Sequence, residues 1–354
     1  MQNSTSMKTP TEAVPKFKAQ PRVAVVVLNW RRPQDTILCV TSVMKLDYSN
    51  LDIVICDNDS GDGSIDTISS GLAAFLPEVI EMRRSKGFLG FEYREVAPDI
   101  RNVENEAGTR RLWLTQTGRN GGYAFGNNVG IRLAMLSKDI EYIWILNNDT
   151  IVDETSLKFL VAQMASDPAI GICGAKVLYS GRDMKVQTLG GGRFLPFRAR
   201  CEQIGEGLPA TEASAPENVE AVLSYVNGAA ALVRRELVEQ IGYMDEGYFL
   251  YWEELDWATR ALASGKFRLG YCPDALVYHQ VGASSGTSDH GIPSLSSTYW
   301  MTRSKFRYLR LHRPWLLAIA FPLLLKAVIR EGLAQRWTRA QMMIRGAFSL
   351  PVKF

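Results

Sequence analysis

Short, unbroken apolar runs alternate along this chain with longer segments whose apolar residues recur at helical spacing. Residues 23–28 (VAVVVL) form a continuous β-branched run, the pattern of a strand buried on both faces of a parallel sheet. A polar turn, Asn29-Trp30-Arg31-Arg32-Pro33, follows, and then Ile37, Val40, Thr41 and Met44 share one face of a helix over 35–45. A second apolar run, 51–56, leads into Asp57-Asn58-Asp59-Ser60-Gly61-Asp62-Gly63-Ser64, a turn-rich loop that opens another helix. The chain thus begins βαβα, and in such sheets ligands bind beyond the carboxyl ends of the strands, where these two loops meet.

The alternation continues. Residues 88–119 are charged and weakly periodic, which predicts a surface insertion ahead of a short strand at 112–115. The glycine- and asparagine-rich stretch 120–130 opens a helix running to about Leu136. Strands are predicted at 142–146 (YIWIL), 171–178, 184–189, 267–271 and 275–279, with a core segment at 222–233 and a helix from Glu154. Gly190-Gly191-Gly192 reads as the start of a loop, and 203–218, rich in Gly, Glu, Ala and Pro, as a mobile surface loop. A helix running to about Ser264 and closed by Gly265 accounts for the acids near Glu253 as its first turn. The expected fold class is α/β, with a mostly parallel central sheet flanked by helices.

Charge alters the picture at the C-terminus. From Met301 onward there are eleven Lys or Arg against one acid, Glu331, a net of +10. The formal total is +3, which leaves −7 for residues 1–300. Residues 315–329 (WLLAIAFPLLLKAVI) are apolar but too short for a span and broken by Pro322 and Lys326. This basic, apolar helical tail suits an interfacial helix on an anionic membrane; packing on the body or an oligomer contact is the competing reading. The polar first 22 residues lack a signal-peptide apolar core and read as a flexible tail. Cys39, Cys56, Cys173, Cys201 and Cys272 are odd in number and scattered, so neither a disulfide framework nor a zinc knuckle is indicated, and a reducing cytoplasmic setting is the default.

Candidate chemistry gathers at the strand ends. Asp57 is placed to accept from a nucleobase imide or a ribose hydroxyl, or to serve as an Asx-turn acid. No G-x-G-x-x-G follows the first strand, which disfavours a dinucleotide dehydrogenase. Asn147-Asn148-Asp149-Thr150 ends the 142–146 strand, a position for a hard cation at Asp149 or for a strand-terminating turn. His279 ends the last strand and enters a Gly/Ser loop, better placed to act as a ligand than most lone histidines. Residues 242–260 (GYMDEGYFLYWEELDWATR) set five carboxylates, Asp245, Glu246, Glu253, Glu254 and Asp256, among aromatic rings. A carboxylate held against such walls can have its pKa raised towards neutrality, as a general base requires.

These stretches, VVVLNW, DNDSGDGS, NGGYAFGNNVGI, ILNNDT, GAAALVRR, GYMDEGYFLYWEELDWATR and ALVYH, stand in an order that resembles the family 2 glycosyltransferases of GT-A fold, in their bacterial rhamnosyltransferase-like branch. The resemblance runs over about 23–285, and with the composition of the two ends the chain divides into a flexible tail (1–22), a GT-A domain (23–290) and a membrane-associating helical segment (291–354). It implies that Asn29, Arg31, Asp57, Asn120, Gly122 and Asn128 bind a nucleotide-sugar donor. It also implies Mg²⁺ or Mn²⁺ at Asp149 with His279 and Asn147, the last standing where the family's D-x-D has its first acid. Glu254 becomes the catalytic base, with Trp252, Glu253 and Asp256 on the acceptor side.

The implied reaction is an inverting, metal-dependent transfer of rhamnose from dTDP-rhamnose, or of a hexose from a UDP-sugar. Its acceptor would be a saccharide, lipid-linked if the tail sits on the inner face of the cytoplasmic membrane, within surface polysaccharide synthesis; no nucleic acid partner is implied. A nucleotide-sugar hydrolase, a nucleotidyltransferase and a non-catalytic membrane-bound partner of an assembly complex remain as alternatives.

Overall fold

The computed structural model describes residues 15, 19–73, 80–82, 111–181, 184–280 and 293–353. Most of the expected N-terminal tail, residues 83–110 of the charged insertion and its flank, and the Gly/Ser loop after Gln280 lie outside the described residues.

The first half follows the predicted alternation: β1 (Arg22–Asn29), α1 (Pro33–Met44), β2 (Leu51–Asp57), α2 (Ser64–Ala73), β3 (Ile80–Met82), β4 (Arg111–Gln116), α3 (Gly122–Met135) and β5 (Ile140–Asn147). Then come β6 (Thr150–Val152), α4 (Ser156–Ser166), β7 (Ile170–Tyr179), β8 (Val186–Leu189), β9 (Gly191–Leu195), β10 (Arg200–Gln203), α5 (Pro216–Glu220), β11 (Tyr225–Val226) and β12 (Ala230–Arg234). The chain closes with α6 (Arg235–Ile241), α7 (Glu253–Ala263), β13 (Arg268–His279), α8 (Leu295–His312), α9 (Leu317–Leu333) and α10 (Trp337–Ala347).

The main sheet runs β3-β4-β2-β1-β5-β12-β7-β13-β6, with β8 added to β7. β3, β4, β2, β1 and β5 are mutually parallel, as are β7 and β13, whereas β12 runs antiparallel between β5 and β7. In β1 the two-residue period sends Val23, Val25 and Val27 to one apolar layer and Ala24 and Val26 to the other. Both layers are filled, so the run has no polar alternation and reads as unbroken hydrophobicity.

Three expectations are corrected. The two strands expected at 267–271 and 275–279 are one strand, β13, whose register against β7 shifts between Cys272 and Leu276. Pro273 lies at that shift, where a residue without an N–H costs the ladder least. Gly191 and Gly192 begin β9 of a separate three-stranded sheet, β10-β9-β11. Residues 203–218 are tied down: Val186 N donates to Leu208 O, Leu189 N to Ile204 O, and Lys185 bridges Pro209.

The tail packs on the body through α8. Arg307 of α8 reaches Asp245 Oδ2 at 2.6 Å, Ser304 Oγ donates to Leu250 O, and His312 Nε2 lies 2.6 Å from Asp256 Oδ1. Tyr308 sets its ring edge-to-face on Phe194 of the small sheet. Among the described residues no helix is long and apolar enough to cross a membrane.

Candidate active site

The carboxyl ends of β1, β2 and β5 converge on a buried polar cluster. Asn29 Nδ2 donates to Asp57 Oδ1 at 2.6 Å, while Asn29 Oδ1 accepts from Thr36 Oγ1 at 2.7 Å. Ser60 donates to both Asp57 oxygens, through its hydroxyl at 2.6 Å and its backbone N–H at 3.0 Å. Ser60 Oγ also accepts from Arg31 N, which holds Arg31 at φ +55° between the two loops. Asn58 extends the cluster, donating to Asn120 Oδ1 and to Gly122 O. Asp57 and Asn29 are almost fully buried, so these bonds replace water and fix the loops.

At the end of β5 and β13 the strand register brings Asp149 and His279 together. Asp149 Oδ1 lies 2.9 Å from His279 Nε2, and Gln187 Oε1 of β8 lies 2.8 Å from His279 Nδ1. Each ring nitrogen thus faces an acceptor oxygen; the tautomer with its hydrogen on Nδ1, donating to Gln187, is the one that would leave Nε2 open to ligate a cation beside Asp149. Among the described residues no three His, Cys, Asp or Glu side chains converge. The pair therefore fits a hard divalent cation that takes only part of its coordination from the protein and completes it with water and phosphate oxygens. Asn147 is half-buried beside them; Ala229 O accepts from its N–H and Thr150 Oγ1 donates to its carbonyl.

The acidic segment resolves into separate roles. Tyr251 and Trp252 both adopt positive φ, +67° and +73°, and this double left-handed turn starts α7 at Glu253. Glu253 points inward at 2 % exposure, its Oε2 without a hydrogen-bond partner among the described residues, and burial, with the charge of Glu254 beside it, holds its carboxyl well above the ordinary range. Glu254 is half-buried, takes a backbone hydrogen bond from Gly228, and has its pKa raised by burial. It lines a cavity of about 660 Å³, together with Trp252, Tyr225, Cys201 and residues of α8 to α10. A Cβ on Gly228 would come within 2.6 Å of Glu254 Oε1 and 2.7 Å of Tyr123 Oη, so only glycine lets the carboxylate rest there.

Some of the expected residues lie away from the cavity or are held by bonds within the fold. Asn128, expected at the donor, is fully buried with its amide committed: Nδ2 donates to Met244 O and Glu246 Oε1, and Oδ1 accepts from Met244 N. Gly122 at φ +88° admits a close backbone approach, but the backbone is that of Phe249, where a Cβ would lie 2.0 Å from the carbonyl oxygen. Asp256 is 2 % exposed and accepts from Arg260 and His312, so it joins α7 to α8 and does not line the cavity. Glu253 is likewise absent from the cavity wall. Asn120 is exposed and holds Asn58 and the Gly122 N–H. Residues that sequence reasoning missed include Thr36, Ser60 and Asn148 in the strand-end cluster, Gln187 behind His279, and Tyr123, whose hydroxyl donates to Gly228 O at 2.7 Å. Tyr123 stood within a motif already singled out; Gln187 carries no local signal.

The mostly parallel sheet, with its helices and polar strand-end loops, is a GT-A fold. Residues 21–290 match the family described as Glycosyltransferase like family 2, and the chain belongs to that family. It is 28% identical over 218 residues to the dTDP-rhamnosyl transferase RfbF of Shigella flexneri, covering 60% of this chain and 68% of that protein. It is 26% identical over 255 residues to an N-acetylglucosaminyl-diphospho-decaprenol L-rhamnosyltransferase of Mycobacterium tuberculosis, covering 66% and 80%. The chain spans 50% to 80% of the length of the curated relatives it matches. In fold it is similar to the mannosyltransferase PcManGT from Pyrobaculum calidifontis, solved with GDP-Man and Mn²⁺, with a TM-score of 0.52 at 17% identity, covering 97% of this chain and 90% of that one.

Proposed function

We propose that this chain is an inverting glycosyltransferase that moves a sugar from a nucleoside diphosphate donor to a hydroxyl of a saccharide acceptor, with Glu254 as the base. One observation supports this above the rest. The turn at Gly228-Ala229 connects the two sides, Ala229 O accepting from Asn147 N at 3.1 Å and Gly228 N–H reaching Glu254. A sugar spanning the Asp149 end of β5 and the Glu254 cavity would cross this turn, which Tyr123 holds from below.

In the proposed reaction the acceptor hydroxyl gives its proton to Glu254 as its oxygen attacks the anomeric carbon. The bond from that carbon to the diphosphate breaks, and the nucleoside diphosphate leaves with the electron pair. Attack from the face opposite the leaving group inverts the anomeric centre. Arg31 and Asn120 would meet the base and ribose, on loops that the buried Asn29, Asp57 and Asn58 hold in place. A divalent cation, Mg²⁺ or Mn²⁺, held by Asp149 and His279 would supply positive charge beside the departing diphosphate. Asn147 would add a neutral carbonyl ligand and no charge.

The rhamnosyltransferases among the relatives favour dTDP-rhamnose as donor, with UDP-hexoses next, and a lipid-linked saccharide as acceptor. The proposed setting is the inner face of the cytoplasmic membrane, and a stripe on α9 supports contact with a lipid surface. Leu325, Ile329 and Leu333, four residues apart, are 61%, 53% and 83% exposed beside Lys326 and Arg330.

Glu254→Gln tests the reading. Transfer should fall by at least ~10²-fold, the contribution of a positioned base, while donor affinity measured by calorimetry is kept. Unaltered turnover in that variant overturns the assignment. Sugar release independent of acceptor would favour a hydrolase, and absence of binding across dTDP- and UDP-sugars with Mg²⁺ or Mn²⁺ a non-catalytic protein.

A further inference from the structure

The cavity beneath Glu254 is not built by the GT-A sheet alone. Its far wall is built by α8, the end of α9, the turn at Arg336 and α10, and the charge of that wall is one-sided. Lys305, Arg330, Arg336 and Arg339 all line it, against Glu331 as its one described carboxylate. Glu331 is 4% exposed and bound by Arg336 Nε at 2.6 Å, with Arg330 at 3.5 Å and Arg339 at 3.8 Å. Three guanidiniums around one carboxylate leave two positive charges uncompensated.

Lys305 adds a third. It is half-buried on α8, on the turn above Met301 and Thr302, and has no carboxylate partner among the described residues. Burial depresses its affinity for the proton, the mark of a cation short of counter-charge. Cys201, in the opposite wall, lies within electrostatic reach of both Lys305 and Glu254, so the ammonium and the carboxylate address the same space. A desolvated cation without a counter-charge costs stability, and one that lines a cleft marks a candidate ligand site. Three surplus charges match a phosphate or diphosphate better than the single charge of a uronate. The volume, about 660 Å³, is sufficient for a sugar carrying such a group.

We propose that the C-terminal helices complete the acceptor site, and that Lys305 with Arg330, Arg336 and Arg339 holds a phosphate or diphosphate of the acceptor while its sugar hydroxyl reaches Glu254. The acceptor class is thus a phosphorylated saccharide, lipid-linked or soluble. The proposal rests on the reading of Glu254 as the acceptor-side base.

Calorimetric titration of the full chain in EDTA, which keeps the cation-dependent donor site silent, tests it with farnesyl diphosphate, farnesol and inorganic pyrophosphate. Farnesyl diphosphate should bind, Lys305→Met should weaken it at least ~tenfold, Lys305→Arg should retain most of the affinity, and Asp149→Ala should leave it unchanged. Pyrophosphate matching farnesyl diphosphate would identify a soluble phosphorylated acceptor, and a clear preference for the prenyl form a lipid-linked one. Farnesol binding as well as its diphosphate, wild-type affinity in Lys305→Met, loss in Asp149→Ala, or no binding at all overturns the proposal. Failure of the transfer reading would show instead as absent donor binding or turnover, with these titrations unaffected.

Discussion

Glu253 and Glu254 are neighbours in sequence and opposites in setting. A helix start turns successive side chains about 100° apart, so one of two adjacent acids can face the core while the other faces a cleft. Glu253 takes the core and keeps an oxygen without a hydrogen-bond partner among the described residues; Glu254 takes the cavity and a backbone N–H. Because the Glu253 carboxyl is held above its unfolded value, its contribution to stability is full below the unfolded pKa and is lost as pH rises through the folded one. Glu253→Gln should therefore gain in melting temperature relative to the parent as pH is taken from 4 to 8, a trend readable by thermal unfolding at each pH. For Glu254 the raised pKa has the reverse functional sign: the base must be ionised, so transfer should decline as pH falls through that value. Removing the hydroxyl that steadies Gly228, as in Tyr123→Phe, should lower kcat by roughly 2- to 10-fold, the worth of one hydrogen bond, with donor affinity retained in calorimetry.

At the level of elements, the βαβα half was legible because a buried parallel strand is written as an unbroken apolar run and its helices as a 3.6-residue period. The small sheet β10-β9-β11 was not. Its strands have four, five and two residues, and β9 opens on two glycines, so no local pattern exceeds that of a loop. What makes it a sheet is non-local pairing, such as Tyr225 with Gly192. The junction between α7 and α8 was equally silent: Asp256 and His312 stand 56 residues apart and meet at 2.6 Å. Asp256→Ala should cost about 3 kcal/mol, because it removes the buried carboxylate that pairs with Arg260 and accepts from His312, and a urea titration would reveal the loss.

For the whole molecule, the sequence showed a strong division of charge, and the folded chain shows what the division does. Lys305, Arg330, Arg336 and Arg339 line the cavity, and Lys326, with Arg330 again, flanks the exposed α9 stripe. If that stripe meets lipid, Leu325→Glu together with Ile329→Glu should reduce co-sedimentation with anionic vesicles at least ~fivefold and leave thermal stability near the parent value, since both side chains are already solvated. Vesicle binding equal to the parent would remove the membrane reading and leave the cavity wall as the segment's role.

The sequence alone determined the α/β architecture, the strand ends at Asn29, Asp57 and Asp149, and the acid-rich start of α7, because each depends on local periodicity and turn chemistry. Tertiary structure alone decided which acid faces the cavity, that Asn128 and Asp256 are committed to holding loops and helices together, that Gln187 stands behind His279, and that the basic tail closes over Glu254. Those outcomes depend on strand register and on contacts between residues far apart in the chain, and no local pattern of side chains encodes them.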